Sequence, residues 1–245
     1  MKENGHRFFF VHIMKTGGAT FRQYVYSNFP DAVYPDKRYE TDVYRANVRI
    51  DYLLGIPETR RQMIRAYTGH FPFVASEMLG LDLVRFTLMR DPVERTISYL
   101  KHCQHYHERH RDKRLEEIYE DPFYFPCFID NHQTKIFSMG PGDQLKSYME
   151  VIDIDERRLE IAKANLERID VLGLTSRHGE FLEELESRFG WVFDGRPNRR
   201  VSDDSSEIGR AFRRRIADDN AADVAFYEFA ERLYHQRRRR GHFTA

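Results

Sequence analysis

Two short, largely apolar segments stand out along the chain: RFFFVHI at 7–13 and LVRFTLM at 83–89. Each is too short for a helix of ordinary length and is followed at once by charged or glycine residues. Such runs read as strands buried on both faces of a parallel sheet. Briefer runs at 66–70, ending in a glycine break, and at 171–174 suggest two more strands. Apolar positions at helical spacing predict helices over 20–28, 58–65, 92–107, 124–138, 155–167, 179–189, 205–217 and 220–236. Asp91-Pro92 is a helix-start signal, and Gly190 and Gly140-Pro141-Gly142 are stops. Residues 31–57 show no clean period and read as loop with short turns. The stretch 105–114, dense in His, Arg and Asp, reads as exposed and mobile. Alternating strands and helices predict an α/β fold, one domain over 1–245 with a central, mostly parallel sheet flanked by helices.

The connection after the first strand carries the strongest chemical signal. Lys15-Thr16-Gly17-Gly18-Ala19-Thr20 places two glycines between an apolar strand and the start of a helix. Glycine lets backbone N–H groups turn inward, and a helix N-terminus adds about half a positive charge. Lys15 contributes a full charge, and Thr16 and Thr20 contribute hydroxyls, so this P-loop-like strand–loop–helix unit predicts a phosphate- or sulfate-like ligand. The order differs from the GxxxxGK[ST] nucleotide loop, in which lysine follows the glycines. A second anion site is expected where LVRFTLM ends. Arg90 stands at the strand's C-terminal edge, where α/β folds bind ligands, and Ser98 lies two turns into the next helix. A guanidinium and a hydroxyl there can grip one phosphate from two sides. Two anion sites on neighbouring strand ends suit a ligand with two separated anionic groups.

Composition narrows the classes. The 245 residues hold 39 basic and 39 acidic side chains, so no global field favours nucleic acid. Clusters at 213–215 and 237–240 concentrate arginine, either as solvated helix faces or as a docking surface for a polyanion. The two cysteines, Cys103 and Cys127, have no zinc-type spacing and read as free thiols, so no metal is expected. No run approaches the ~18 apolar residues of a membrane span. These features predict a cytoplasmic protein with neither a membrane span nor a nucleic-acid partner.

The two motifs together resemble the cofactor sites of sulfotransferases that use 3′-phosphoadenosine 5′-phosphosulfate (PAPS), most closely the carbohydrate branch of heparan sulfate 2-O- and 6-O-sulfotransferases and related soluble bacterial proteins. KTGGAT resembles their 5′-phosphosulfate loop, and Arg90 with Ser98 resembles their 3′-phosphate site. Asn131-His132-Gln133-Thr134-Lys135 is similar to that branch's N-x-Q-x-basic helix, and VLGLTSRHGEFLEEL followed by FGW to its later strand–helix segment. Met14 stands where proline is usual and Ala19 where threonine is frequent. The resemblance implies sulfuryl transfer from PAPS to a hydroxyl of a small molecule or glycan, without a metal. It implies Lys15 as the group stabilising the leaving phosphate, and His70, in the matching Gly-His pair, as general base. His102, one turn beyond Ser98 on the same helical face, is a candidate acceptor contact. Asn131 and Lys135 reach a ligand or brace the sheet; residues 175–177 and 199–202 line the nucleotide or form plain connections. Two other readings remain open on the residues alone. One is a phosphotransferase, for which Asp91 is the nearby carboxylate that could hold a metal. The other is a nucleotide- or polyanion-binding module without catalysis.

Overall fold

The computed structural model describes residues 5–193 and 208–241. The expected loop 199–202 and the start of the helix expected at 205 lie outside them. The elements run in chain order as β1 (Phe8–Val11), α1 (Gly18–Asn28), β2 (Val33–Tyr34), α2 (Val43–Val48), α3 (Ile50–Leu54), α4 (Glu58–Met63), β3 (Ala66–Tyr67), α5 (Phe73–Met78), β4 (Val84–Met89), α6 (Pro92–Tyr106), α7 (Leu115–Tyr119), α8 (His132–Ser138), α9 (Glu156–Glu167), β5 (Val171–Leu174), α10 (His178–Phe189), α11 (Arg210–Asp219) and α12 (Ala221–Arg239). Among the described residues the strands form one five-stranded sheet, ordered β2-β3-β1-β4-β5. Every neighbouring pair is parallel, with Phe8 opposite Ala66 on one side and Val84 on the other. This is the helix-flanked parallel α/β architecture that the strand–helix alternation predicts.

The pleat divides the two cores. Phe8 and Phe10 join Phe21, Val25, Phe181, Leu185 and Trp191, so α1 and α10 cover one face. Phe9 and Val11 join the larger cluster that includes Phe73, Ile97, Phe137, Leu166 and Phe226 on the other face. Residues of β1 are buried on both sides, hence the continuous apolar run. Gly173 permits a close approach between β5 and α10: a Cβ there would stand 2.6 Å from Phe181 and 2.7 Å from Leu88. Gly173→Ala is therefore expected to cost about 1–3 kcal/mol through overpacking. Thermal unfolding would show this as a lower Tm, and an unchanged Tm would mean that α10 packs off the sheet.

Three segments differ from the sequence expectation. Residues 31–57 hold β2, α2 and α3, which at two to six residues are too short to display a period. The helix α5 was equally hidden, because four of its six residues are buried and no polar face marks it. The helix expected over 124–138 is broken. A π-turn over Phe125–Ile129 ends before Asn131, which adopts φ 43°, and α8 starts afresh. Tertiary bonds hold the break: Asn220 Oδ1 accepts from Asn131 N at 2.9 Å, and Asn131 Oδ1 accepts from Asp223 N at 3.0 Å. Within 105–114, the side chain of His110 is fully buried, against the expectation of a wholly exposed stretch.

Candidate functional site

The strand order creates a crevice. From β1 the chain turns onto one face of the sheet with α1, and from β4 it turns onto the other with α6. Adjacent parallel strands whose following helices diverge leave an opening at their C-terminal ends, the usual ligand position in such sheets. Lys15 and Arg90 stand at those two ends.

The turn is shaped by its backbone. Lys15 has φ 67° and Gly17 has φ 94°, both left-handed, and α1 begins at Gly18. Thr16 is fully buried and its hydroxyl donates to Ile13 O at 2.9 Å. That hydroxyl is therefore not free to donate to a ligand, a correction to the expected hydroxyl donor. Thr20 and Ser98 are partly buried, and neither hydroxyl is hydrogen-bonded among the described residues. Ala19 contributes backbone to the first turn of α1. Thr175, at the end of β5, donates to Thr16 O at 2.8 Å and Met89 O at 3.1 Å, tying three strand ends together.

Arg90 crosses the crevice, its Nη1 donating to Lys15 O at 3.0 Å. Gln133 holds its backbone from α8, accepting from Arg90 N at 3.2 Å and donating to Arg90 O at 2.8 Å. Burial lowers the Lys15 pKa and the Arg90 guanidinium lowers it further. Cys103 would favour the Lys15 charge only as a thiolate, and burial keeps its thiol protonated. Arg90 is likewise lowered by burial, partly offset by Glu94 and Asp91. Two partly desolvated cations thus lie close together at the opening. Asp91 caps α6, its side chain accepting from Glu94 N at 2.9 Å. His102 is half-buried on α6 and its pKa falls to about 4 through burial and Lys15, with His107 and His105 adding to the effect.

His70 lies on the β3 side of the crevice. Its Nδ1 is 3.3 Å from His12 O. A carbonyl only accepts, so Nδ1 carries the proton and Nε2 holds the free lone pair. Burial lowers the His70 pKa to about 4, partly opposed by the His12 bond, with Arg22 lowering it further. The ring is therefore neutral at pH 7. Tyr148 packs against it at 5.4 Å between centroids, and His12 stacks at 4.2 Å. Tyr148 and Arg22 carry no local sequence signal and reach the site only through folding. His12 carried a readable signal: it extends the β1 face of Phe8 and Phe10.

Other motif residues serve the scaffold. Lys135 is buried, and its Nζ donates to Cys127 O at 2.7 Å and Pro126 O at 3.2 Å, closing the π-turn. Arg213, Arg214 and Arg215 pair with Glu94, Asp218 and Glu120. Arg237 donates to Ile169 O and Glu167 O. A cavity of about 470 Å³ lined by Ser176, Arg177, His178, Glu231 and His235 opens beside the turn, with His178 Cδ2 3.9 Å from where a Gly17 Cβ would be. A second cavity, about 610 Å³, lies near the start of β5 and is lined by Arg168, Arg188, Arg237 and Arg240. Among the described residues, no helix is long and apolar enough to cross a membrane, and no group of three or more His, Cys, Asp or Glu could hold a metal ion. No family model and no curated protein sequence matches the chain.

Proposed function

We propose that the protein transfers a sulfuryl group from 3′-phosphoadenosine 5′-phosphosulfate to a hydroxyl of an acceptor, a carbohydrate being favoured by the sequence resemblance alone. The observation that carries this reading is the closeness of Lys15 and Arg90 at adjacent strand ends, both partly desolvated, beside a left-handed turn opening α1. Like charges held together at a cost fit a ligand that is itself multiply anionic. The residues match such a donor: the Lys15–Thr20 turn suits the 5′-phosphosulfate, and Arg90 with the free Ser98 hydroxyl suits the 3′-phosphate. The cavity beside Gly17 has the size of a small-ligand site, on the order of 300–1,000 Å³, and its carboxylates Glu180, Glu183 and Glu231 suit an uncharged part of the ligand, such as the nucleoside, rather than a phosphate.

In the reaction, His70 Nε2 accepts the proton of the acceptor hydroxyl as that oxygen bonds to sulfur. The bond from sulfur to the bridging phosphate oxygen breaks in line. Lys15 and the turn N–H groups meet the charge growing on that oxygen, and preorganised donors of this kind are worth several kcal/mol. The products are a sulfate ester, 3′-phosphoadenosine 5′-phosphate and a proton that His70 returns to solvent. The acceptor hydroxyl lies beside His70, and His102, close enough to Lys15 to feel its charge, is the candidate further contact.

Calorimetry with 3′-phosphoadenosine 5′-phosphate against ATP with magnesium tests the reading, followed by turnover with labelled PAPS and a panel of hydroxylated acceptors. Tight binding of the bisphosphate and labelled ester are expected. Preference for ATP with magnesium would indicate a phosphotransferase, for which Asp91 would have to leave its cap. Bisphosphate binding with no ester from any acceptor would indicate a binding module.

A further inference from the structure

His12 belongs to neither anion site, yet its ring touches both the first residue of α1 and the ring of His70. It stacks on Phe10 at 4.8 Å with planes 14° apart, and on His70 at 4.2 Å with planes 27° apart. A Cβ at Gly18 would lie 2.1 Å from His12 Nε2 and 2.2 Å from Cδ2. The imidazole therefore fills the space a side chain at 18 would need, between the first residue of α1 and the ring of His70. It is 6% exposed, and its Nδ1 makes no hydrogen bond of good geometry, the ring's polar contact being a weak one with the Thr68 backbone. Burying a polar atom so poorly paired is unfavourable. A leucine in the same gap would avoid that cost, so core filling alone does not explain a histidine here.

We propose that His12 is a positioning residue for His70. Its flat ring, wedged between Gly18 and His70, fixes the His70 ring relative to the anion turn. A His70 ring so held keeps Nδ1–H on His12 O and Nε2 as the basic atom; one free to rotate would exchange the two nitrogens. The inference deepens the sulfotransferase reading and rests on it only where turnover is measured. Besides His12 at the end of β1, the charged and titratable groups facing His70 are Arg22 from α1, Tyr148 from the segment before α9 and His132 from α8. None of the three occupies the gap over Gly18.

The test uses the full chain labelled with ¹⁵N-histidine, as wild type, His12→Ala and His12→Phe. Wild-type His70 is expected as a single Nδ1–H tautomer. In His12→Ala it becomes a tautomer mixture and titrates closer to the ordinary 6.5 than to about 4. Turnover there falls on the order of 10²-fold, the usual penalty of a misplaced reacting group, while bisphosphate affinity is unchanged. His12→Phe, which keeps an aromatic wedge, restores the single tautomer and most of the rate. A folded His12→Ala protein whose His70 keeps the wild-type tautomer and titration overturns the proposal, even if it is slow. Should His12→Ala not fold, His12→Phe decides: a mixed tautomer there overturns it, and a retained one supports it. If the wild type neither binds the bisphosphate nor makes ester, the sulfotransferase reading fails, while the tautomer comparison still judges His12.

Discussion

Replacing His70 with alanine is expected to slow sulfuryl transfer by about 10²–10⁴-fold, the range for a lost general base. Affinity for 3′-phosphoadenosine 5′-phosphate should stay at the wild-type level, because His70 stands across His12 from the turn rather than in it. The pH dependence carries a sign that separates this role from a structural one. With its pKa lowered to about 4 by burial, His70 is neutral through the physiological range. The acid limb of kcat/KM, which reports the free enzyme, should therefore lie near 4 rather than near 6.5. A bound polyanionic donor favours the imidazolium, so the limb of kcat should lie at higher pH than that of kcat/KM. Single-turnover rates with labelled PAPS across pH, beside calorimetry on the variant, measure both effects. Near wild-type turnover by His70→Ala would remove His70 from the chemistry.

The second large effect concerns Lys15, where function and stability should move in opposite directions. Loss of one preorganised donor to the developing charge typically costs about 10²–10³-fold in rate, and Lys15→Gly should show that loss. Lys15→Arg should not restore it, since a planar fork does not replace a compact ammonium at a site shaped for one. Without ligand, Lys15→Gly should raise Tm. It removes a partly desolvated charge close to Arg90, and it places glycine where φ is 67°. A non-glycine residue in that region costs about 1 kcal/mol or more. The same variant should lose the Tm rise that the bisphosphate gives the wild type, because ligand stabilisation scales with affinity. A fall in Tm for the unliganded variant would mark Lys15 as a structural residue and weaken the anion site as a whole. Stabilisation at the expense of binding is the pattern of a functional position.

Local pattern determined more of this protein than its irregular stretches suggest. Apolar runs of four to seven residues are enough to mark β1, β4 and β5, because strands buried on both faces need no polar partner. Asp91 and Gly190 punctuate α6 and α10 through short-range chemistry alone, a side chain on its own helix N-terminus and a left-handed stop. The Lys15–Thr20 turn was legible for the same reason: its glycines, its cation and the helix behind it are contiguous. Tertiary structure decided whatever depended on distant partners. The break at Asn131 rests on Asn220 and Asp223, some ninety residues away. Burial, which folding alone creates, also turned the Thr16 hydroxyl to Ile13 and Lys135 to the π-turn carbonyls, partners near in sequence, because buried polar groups need one. The crevice itself exists because β1 and β4 are neighbours whose helices leave on opposite faces, which no local pattern encodes. That pairing sets Lys15 against Arg90, and the pairing of β1 with β3 stacks His12 on His70, across 75 and 58 residues of chain.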